Sequence, residues 1–407
     1  MLSTNLLPPE AAEDDPLLDA AAQLEQSAHA LDLEDWIMQR LKHPDRETTV
    51  NIPLQQEAGA TTCTAYRVQH LRAHRHCLGP VQLAPDTHVA ELRAAALELT
   101  LQYALLDLPL GGSAGAIVCD PAHLTESQLR HAIRHYLAAL DVRGDVYATA
   151  EYAAAWTSAA RHLQGAALVG KPSSIGGVPD RASAIASGWM TLISQLSRSE
   201  VGTSACRVSI QGVGAAAMKL ASTLQQAGAK VIGLADKSGG IFAQDGLDIT
   251  MVSHYLAEHR MLYGFSGADA VGNADVLESD CDVLFLAAAE RQVSLHNAAK
   301  IKGKLVLEAV SGAITPAAAS AVAERGVTVV PALLGTAPRA LSWFAEWQSG
   351  LRYESPDQET TEAMIRRRVE VIVKQVNSFA AEREVSFADA CRLLSLKKFA
   401  AVLRLLN

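Results

Sequence analysis

The feature that most constrains the fold of this chain is a glycine turn between an apolar strand pattern and an amphipathic helix pattern. Gly212, Gly214 and Ala217 form the motif G-x-G-x-x-A. The first glycine of such a motif permits a tight turn, the second lets the backbone approach a pyrophosphate, and the small third residue allows close helix–sheet packing. Together with the next strand, KVIGLAD, the motif predicts a right-handed βαβ unit of the dinucleotide-binding type.

An acidic residue supports this interpretation. Asp236 ends the next strand, roughly 20 residues after the turn, where a carboxylate can accept a hydrogen bond from a ribose 2′-hydroxyl. Such an acid repels a 2′-phosphate, so NAD is favoured and NADP stays open. The predicted cofactor contacts are Gly212, Val213, Gly214, Ala215, Ala217, Asp236, Lys237 and Ala288. The alternative is that the turn persists only as a fold element, because glycine turns are structural requirements even in an empty site.

The rest of the chain predicts an α/β fold with two domains. Apolar runs at Val283–Leu286, Lys304–Leu307 and Val327–Val330 alternate with helix patterns, as a doubly wound parallel sheet requires. The first half combines a mixed opening sheet with a helix that runs into LPLGGSAGAIVCDP, whose glycines predict a turn. We place a flexible acidic arm at 1–30, a mixed-sheet domain at 31–184, a Rossmann domain at 185–349, and helices at 350–407 that return to the first domain.

Composition narrows the partners. The net charge is -9 and the basic residues are scattered, so we expect no nucleic-acid partner. No stretch is long and apolar enough to cross a bilayer, so we expect no membrane partner. The 6 cysteines share no short ligand spacing, which predicts no metal site and favours a reducing, cytoplasmic location.

Several motifs carry a family resemblance, in order, from about Asp45 to Gln348: YRVQH, GP, LPLGGSAGAIVCDP, GKPSSIGGVPDRASAIASG, QGVGAAA, ADKSGGIFAQDGLDI, NAAKIKGKLVLEAVSGAITPAA and GVTVVPALL. They resemble the glutamate/leucine/phenylalanine/valine dehydrogenases. The resemblance implies an N-terminal oligomerising substrate domain, a Rossmann domain, a cleft between them, and oxidative deamination of an amino acid with a nicotinamide cofactor.

At the positions that run this chemistry in the family, the chain departs from the pattern. The resemblance implies lysines that hold the substrate carboxylate, one catalytic lysine, and an aspartate that shuttles protons. The matching positions hold neutral residues: Gln82 in GPVQ, Gln102 in LTLQ, Ala114 in GGSAG, and Ala150 in DVYATA. We therefore expect no catalytic residue there, although a one-residue shift of the last motif would place Glu151 at the aspartate position.

Other positions in the implied cleft are candidates for ligand contact. They are Gly111, Gly112, Ser311, which replaces a family asparagine, and Arg339, in TAPR where the family has NAGG. An arginine at this place could bind a carboxylate with two parallel hydrogen bonds, and surface exposure is the alternative. Arg181 matches a family arginine for which a structural ion pair is expected. The histidines near these positions, His70, His74, His76 and His88, predict a solvated loop rather than a metal site.

Three hypotheses follow for function. The first is a catalytically silent homologue that binds a nucleotide or small ligand and acts as a regulatory or scaffold subunit, as a homo-oligomer or with an active dehydrogenase; a pure scaffold would need no cofactor. The second is an active NAD(P)-dependent oxidoreductase with altered chemistry on an unusual amino or keto acid, using groups such as Glu151, His70 or Tyr103. The third is an active enzyme in which another lysine, such as Lys171, reaches the cleft.

Overall fold

The computed structural model describes residues 24–406, apart from 57–58, 75, 141–144, 149–151, 161–167 and 198–205. Most of the predicted acidic arm, residues 1–23, lies outside the described residues. Residues 24–30 are helical, and Ala28 is buried in a cluster with Ile37 and Leu41. This end of the predicted arm is therefore packed against the body of the protein.

A mixed sheet of 6 strands forms the N-terminal half, in the order β1-β2-β4-β3-β5-β6. The first pairs, β1 with β2 and β2 with β4, are antiparallel, and the remaining pairs are parallel. Its elements are α1 (Asp35–Lys42), β1 (Arg46–Gln56), β2 (Gly59–Gln69), β3 (Cys77–Leu83), α2 (Val89–Leu105), β4 (Gly111–Ile117), α3 (Glu126–Ala139), β5 (Asp145–Ala148), α4 (Ala153–Ala159) and β6 (Leu168–Val169). Helix α2 lies against β4 and carries residues of the predicted cleft.

The predicted turn at LPLGGSAGAIVCDP is wrong for the central half of the segment. Gly111–Ile117 form β4, a central strand that is buried throughout. The glycines are there because backbone lies against them: a Cβ on Gly112 would come within 2.2 Å of the Ala96 carbonyl oxygen, and one on Gly111 within 1.6 Å of the Leu71 carbonyl oxygen. A glycine-rich segment can be a central strand where a helix packs directly on its backbone.

The second sheet has 7 strands in the order β10-β9-β8-β7-β11-β12-β13. The pairs from β8 through β7, β11 and β12 to β13 are parallel, which confirms the doubly wound Rossmann architecture. The elements are α5 (Arg181–Leu196), β7 (Arg207–Gln211), α6 (Ala215–Gln226), β8 (Lys230–Asp236), β9 (Gly239–Phe242), α7 (Ile249–His259), β10 (Asp269–Val271), α8 (Asn273–Leu277), β11 (Val283–Leu286), α9 (Leu295–Ala298), β12 (Leu305–Glu308), α10 (Pro316–Glu324), β13 (Thr328–Val330) and α11 (Ala332–Gly335).

Three helices complete the chain and return to the first half, as predicted: α12 (Ala337–Leu351), α13 (Gln358–Arg383) and α14 (Phe387–Leu406). Helix α13 packs on α5, and α14 packs on α2. The inner face of α14, with Leu396, Phe399 and Leu403, closes the same apolar cluster that holds Ile37 and Leu101. Among the helices that the structure describes, none is long and apolar enough to cross a membrane.

Candidate functional site

The glycine turn follows β7 and leads directly into α6. Gly212 has a φ of +114°, and a Cβ there would lie 2.8 Å from the Ala287 carbonyl, so only glycine fits without strain. At Gly214, a Cβ would meet nothing within 4 Å, and no side chain caps the first turn of α6. Open space beside an uncapped helix N-terminus is the environment that binds a pyrophosphate. The turn thus fits the phosphates of a dinucleotide.

The other predicted cofactor contacts surround this turn. Ala217 is buried, in agreement with its predicted role in helix–sheet packing, and Val213 is half-buried. Ala215, Lys237 and Ala288 are exposed. Backbone and small side chains therefore border the open space, which leaves room for a ligand.

Asp236 fits a ribose less completely. Its Oδ1 accepts hydrogen bonds from the backbone N–H of Ser238 at 2.7 Å and from the Ser238 hydroxyl, and its Oδ2 accepts from the N–H of Leu262 at 2.8 Å. A carboxylate offers about four lone-pair sites, so a ribose hydroxyl can still bind, but it shares the group with these donors. The fit at the adenosine end is weaker than at the phosphates.

Ala114, at the position of the family's catalytic lysine, lies in β4 beneath α2. It is 1% exposed and belongs to an apolar cluster with Val68, Leu92, Ala96 and Ala116. None of these five buried side chains ionises, and a methyl group cannot transfer a proton. Ala150, at the family aspartate position, and Glu151 lie outside the described residues.

The two glutamines at family lysine positions have different surroundings. Gln82 is exposed on β3, and its Nε2 donates to the Thr87 hydroxyl at 3.1 Å. Gln102 is buried on α2 and reaches across to the segment after β13: its Nε2 donates to the Leu333 carbonyl at 2.9 Å and to the Thr336 hydroxyl at 2.7 Å. Its Oε1 is buried and has no hydrogen-bond partner among the described residues.

The candidates Gly111 and Gly112 do not line open space, because the close backbone contacts described for β4 already account for both glycines. Ser311 does face the other half of the molecule: its hydroxyl donates to Oε1 of Glu98, on α2, at 3.0 Å. Glu98 lies one helical turn before Gln102, so both side chains of α2 meet the Rossmann half.

Sequence reasoning missed two glutamates of this region. Burial raises the pKa of Glu98, the Ser311 hydrogen bond opposes that shift, and the Glu290 charge adds to it. Burial also raises the pKa of Glu308 to about 7, although its carboxylate accepts from the N–H groups of Ile314 and Ala332. The helical spacing of Glu98 and Gln102 was the one available signal for the first, and Glu308 resembled an ordinary strand end.

Arg339, the last cleft candidate, lies in the first turn of α12. Its backbone N–H continues the helical pattern to the Thr336 carbonyl. Its guanidinium makes no hydrogen bond or ion pair to any residue within the described ranges, and burial lowers the pKa of Arg339.

Arg181, Lys171 and His70 all have partners within the protein. Arg181 forms the expected structural ion pair, with Nη2 2.6 Å from Oε2 of Glu346. Lys171 lies 3.9 Å from the same carboxylate, so it is engaged away from Ala114. His70 is buried between the Thr100 hydroxyl and the Leu41 carbonyl rather than in a solvated loop.

Two further expectations concern Tyr103 as an acid–base group and the histidines, cysteines and acidic residues as metal ligands. Tyr103 is buried with its hydroxyl donating to the Leu78 carbonyl, and burial raises the pKa of Tyr103, so it cannot serve as a base. Across the described part of the chain, no group of three or more histidine, cysteine or acidic side chains could hold a metal ion.

Comparison with known families gives two matches. The model described as Glutamate/Leucine/Phenylalanine/Valine dehydrogenase matches residues 176–405, and the model described as Glu/Leu/Phe/Val dehydrogenase, dimerisation domain, matches residues 44–151. The second match covers the mixed sheet through β5, and the first covers the Rossmann sheet and the helical return.

Similar curated proteins and structures agree with these matches. The catabolic NAD-specific glutamate dehydrogenase RocG of Bacillus subtilis is 32% identical over 385 residues, 89% of each chain. The NAD-specific glutamate dehydrogenase of Staphylococcus aureus is 29% identical, covering 94% of this chain and 95% of its own. The hetero-hexameric glutamate dehydrogenase of Thermus thermophilus, in a leucine-bound form, shares the fold with a TM-score of 0.86 at 24% identity, covering 99% of each chain.

Proposed function

This chain belongs to the glutamate/leucine/phenylalanine/valine dehydrogenase family, and from that premise we propose that it is a subunit that has lost oxidative deamination. In this proposal the chain binds a nucleotide or another small ligand and regulates or scaffolds an assembly with an active dehydrogenase. The observation that carries the proposal is Ala114, buried in an apolar cluster where the family motif has its catalytic lysine.

The other replaced positions support the same conclusion. Gln82 and Gln102 are neutral, and the amide nitrogen of each donates hydrogen bonds to neighbouring oxygen atoms of the protein. Groups that act as a catalytic unit cannot repair one another's loss, and removing one costs on the order of 10³- to 10⁶-fold in rate. The chain can still bind a ligand. At Ala114, however, no ionisable side chain of the described residues takes the place of the lysine to transfer a proton.

Retained nucleotide binding is supported by the glycine turn. Gly212, Gly214 and the first turn of α6 would hold the phosphates, and Asp236 would accept from a ribose. A bound nicotinamide dinucleotide would supply a hydride acceptor; without a proton-transfer group beside it, we expect its role to be structural or regulatory. The NAD specificity named for the B. subtilis and S. aureus relatives favours NAD over NADP.

An assembly with other subunits is supported by the solved T. thermophilus protein, which is described as hetero-hexameric. The T. thermophilus protein thus combines different chains in one particle. The match of residues 44–151 to a dimerisation domain supports a contact surface in the mixed-sheet half.

A second candidate function is an active oxidoreductase with altered chemistry. The NAD-specific enzymes among the relatives favour it, and so does Glu98, whose raised pKa suits a proton donor in the cleft. His70 and Tyr103 no longer support this candidate, because both are buried and bonded to the protein.

The deciding experiment compares the purified chain with RocG as an active control. Each is assayed for NAD- and NADP-dependent oxidation of glutamate, leucine, phenylalanine and valine. The proposal expects no turnover within about 10³-fold of the control. It also expects co-purification with an active family member from the same cell and a changed KM or kcat for that partner. Ordinary turnover by the chain alone would contradict the proposal and favour the second candidate.

A further inference from the structure

Arg339, which is half-buried, differs from Arg67 and Arg181 in its lack of a partner among the described residues. Arg67 forms a bidentate pair with Asp145, at 2.9 and 2.7 Å, and Arg181 pairs with Glu346. The Arg339 guanidinium has no such partner within the described part of the chain, and no carboxylate counters the fall in its pKa on burial. An unpaired charge that is partly removed from water is costly, and an anion that pairs with Arg339 would offset that cost.

The position of Arg339 on α12 indicates which way it faces. Thr336, Arg339, Trp343 and Trp347 follow one another at intervals of three or four residues, so they share one stripe of the helix. Both ends of the stripe contact the N-terminal half. Thr336 accepts from Gln102, and the Trp347 ring lies 5.1 Å from that of His76. Arg339, between them, therefore faces the cleft between the two halves.

A second side chain without a full set of partners, Gln102, contacts Thr336 just before Arg339 in the chain. Gln102 donates to Thr336, but its own Oε1 is buried and receives no hydrogen bond in the described structure. The residue as a whole is 1% exposed. A buried carbonyl oxygen without a donor is costly, just as an unpaired guanidinium is. The two groups need complementary partners: an anion at Arg339 and an N–H or O–H donor at Gln102.

We propose that Arg339 binds the carboxylate of a small organic acid in this cleft while Gln102 Oε1 accepts a hydrogen bond from an amino or hydroxyl group beside that carboxylate. This inference rests on the proposed ligand-binding role. It moves the carboxylate grip from the lysine positions, now Gln82 and Gln102, to the Rossmann-side helix α12. Glu98, one turn before Gln102, gives an amino group a second acceptor, so 2-amino acids should bind more tightly than 2-hydroxy acids.

The test is isothermal titration of the full chain, with thermal unfolding in parallel, using L-glutamate, L-leucine, L-lactate and 2-oxoglutarate as probes. Wild type should bind at least one of the amino acids, with 2-oxoglutarate weakest because it offers no donor to Gln102. Arg339→Gln should weaken binding at least tenfold, and Arg339→Lys should give an intermediate value, because lysine keeps the charge and loses the bidentate geometry. Arg352→Gln, at an exposed arginine after the same helix, is the matched control and should leave affinity unchanged.

A stability readout separates ligand binding from a structural role. Without ligand, Arg339→Gln should unfold at or above the wild-type temperature, because it removes an unpaired cation that is partly desolvated. A large drop in that temperature would show that Arg339 has a protein partner and would overturn the inference, as would unchanged affinity in Arg339→Gln or no binding of any probe by wild type. Because binding is measured without turnover, catalytic activity in the chain would refute the proposed function and leave this result standing.

Discussion

Glu308 is the residue whose protonation should most visibly govern the stability of the cleft. Its pKa is raised to about 7 in the folded protein, while an unfolded glutamate titrates at about 4.3. The folded state therefore holds a proton between these values that the unfolded state has released, so stability falls as pH rises through this window. Above about pH 7 both states are ionised and the loss is complete. The slope can reach about 1.4 kcal/mol per pH unit.

Urea unfolding of wild type and Glu308→Gln at pH 5, 6, 7 and 8 measures this effect. Wild type should lose stability relative to the variant as pH rises, because glutamine stays neutral throughout. Glu324→Gln, on the exposed face of α10, should follow the wild-type profile. Equal pH dependence in wild type and Glu308→Gln would show that Glu308 does not titrate in this range.

The pair of Arg67 and Asp145 predicts a second effect at residue scale. Both side chains are 2% exposed, and the arginine also donates to the Ser113 hydroxyl at 2.7 Å. Arg67→Met leaves a buried carboxylate without its partner and should lower the free energy of unfolding by about 3–5 kcal/mol. Adding Asp145→Leu should recover part of that loss. A double variant as unstable as Arg67→Met alone would contradict this account of the pair.

Single-residue roles were partly predictable. The sequence alone shows that Gln82, Gln102 and Ala114 have neutral side chains, and therefore that none of them can act as an acid or a base. The Glu98–Ser311 contact joins residues far apart in the chain, and no local pattern indicates it. The raised pKa of Glu308 likewise depends on burial by distant segments.

At the scale of elements, the glycine turn between β7 and α6 separates structural glycines from ligand-binding glycines. Gly212→Ala should destabilise the protein by about 1–3 kcal/mol, since it forces a positive φ and a clash with the Ala287 carbonyl. Gly214→Ala meets no protein atom within 4 Å and should cost less than about 1 kcal/mol. Its methyl group should instead fill the space for the pyrophosphate.

Thermal unfolding with and without NAD distinguishes the two substitutions. Wild type should gain stability with NAD by mass action, and Gly214→Ala should lose most of that gain while keeping its unliganded melting temperature. Gly272→Ala, at a glycine of negative φ outside the turn, serves as the control. If Gly214→Ala bound NAD as wild type does, the turn would be a fold element only.

Local patterns predicted the elements of the Rossmann half well, and those of the mixed sheet less well. The βαβ unit joins neighbours in sequence, so β7, α6 and β8 could be predicted and are confirmed. In the mixed sheet, β4 inserts between β2 and β3, and its glycines indicated a turn. Only the approach of α2 and of the Leu71 backbone explains why glycine occupies a central strand there. Contacts of this kind depend on the assembled fold.

For the whole molecule, two hydrogen bonds between side chains of the described residues join α2 to the Rossmann half across the cleft. Ser311 donates to Glu98, and Gln102 donates to Thr336. Each hydrogen bond should contribute on the order of 1 kcal/mol. Removing both hydrogen bonds should therefore increase the motion of one half relative to the other more than it lowers the stability of either half.

The double variant Ser311→Ala/Thr336→Val removes these links while nearly conserving volume. Hydrogen exchange should accelerate in α2 and in residues 332–336, and stay unchanged in β7 and β8. Ser320→Ala, at an exposed position of α10, is the control and should alter exchange in neither region. Because a carboxylate ligand at Arg339 would bridge the same two halves, adding it to wild type should slow exchange in the segments that the double variant accelerates. Unchanged exchange in the variant would mean that other contacts between the halves, such as Lys171–Glu346 and His76–Trp347, hold them together instead of these hydrogen bonds.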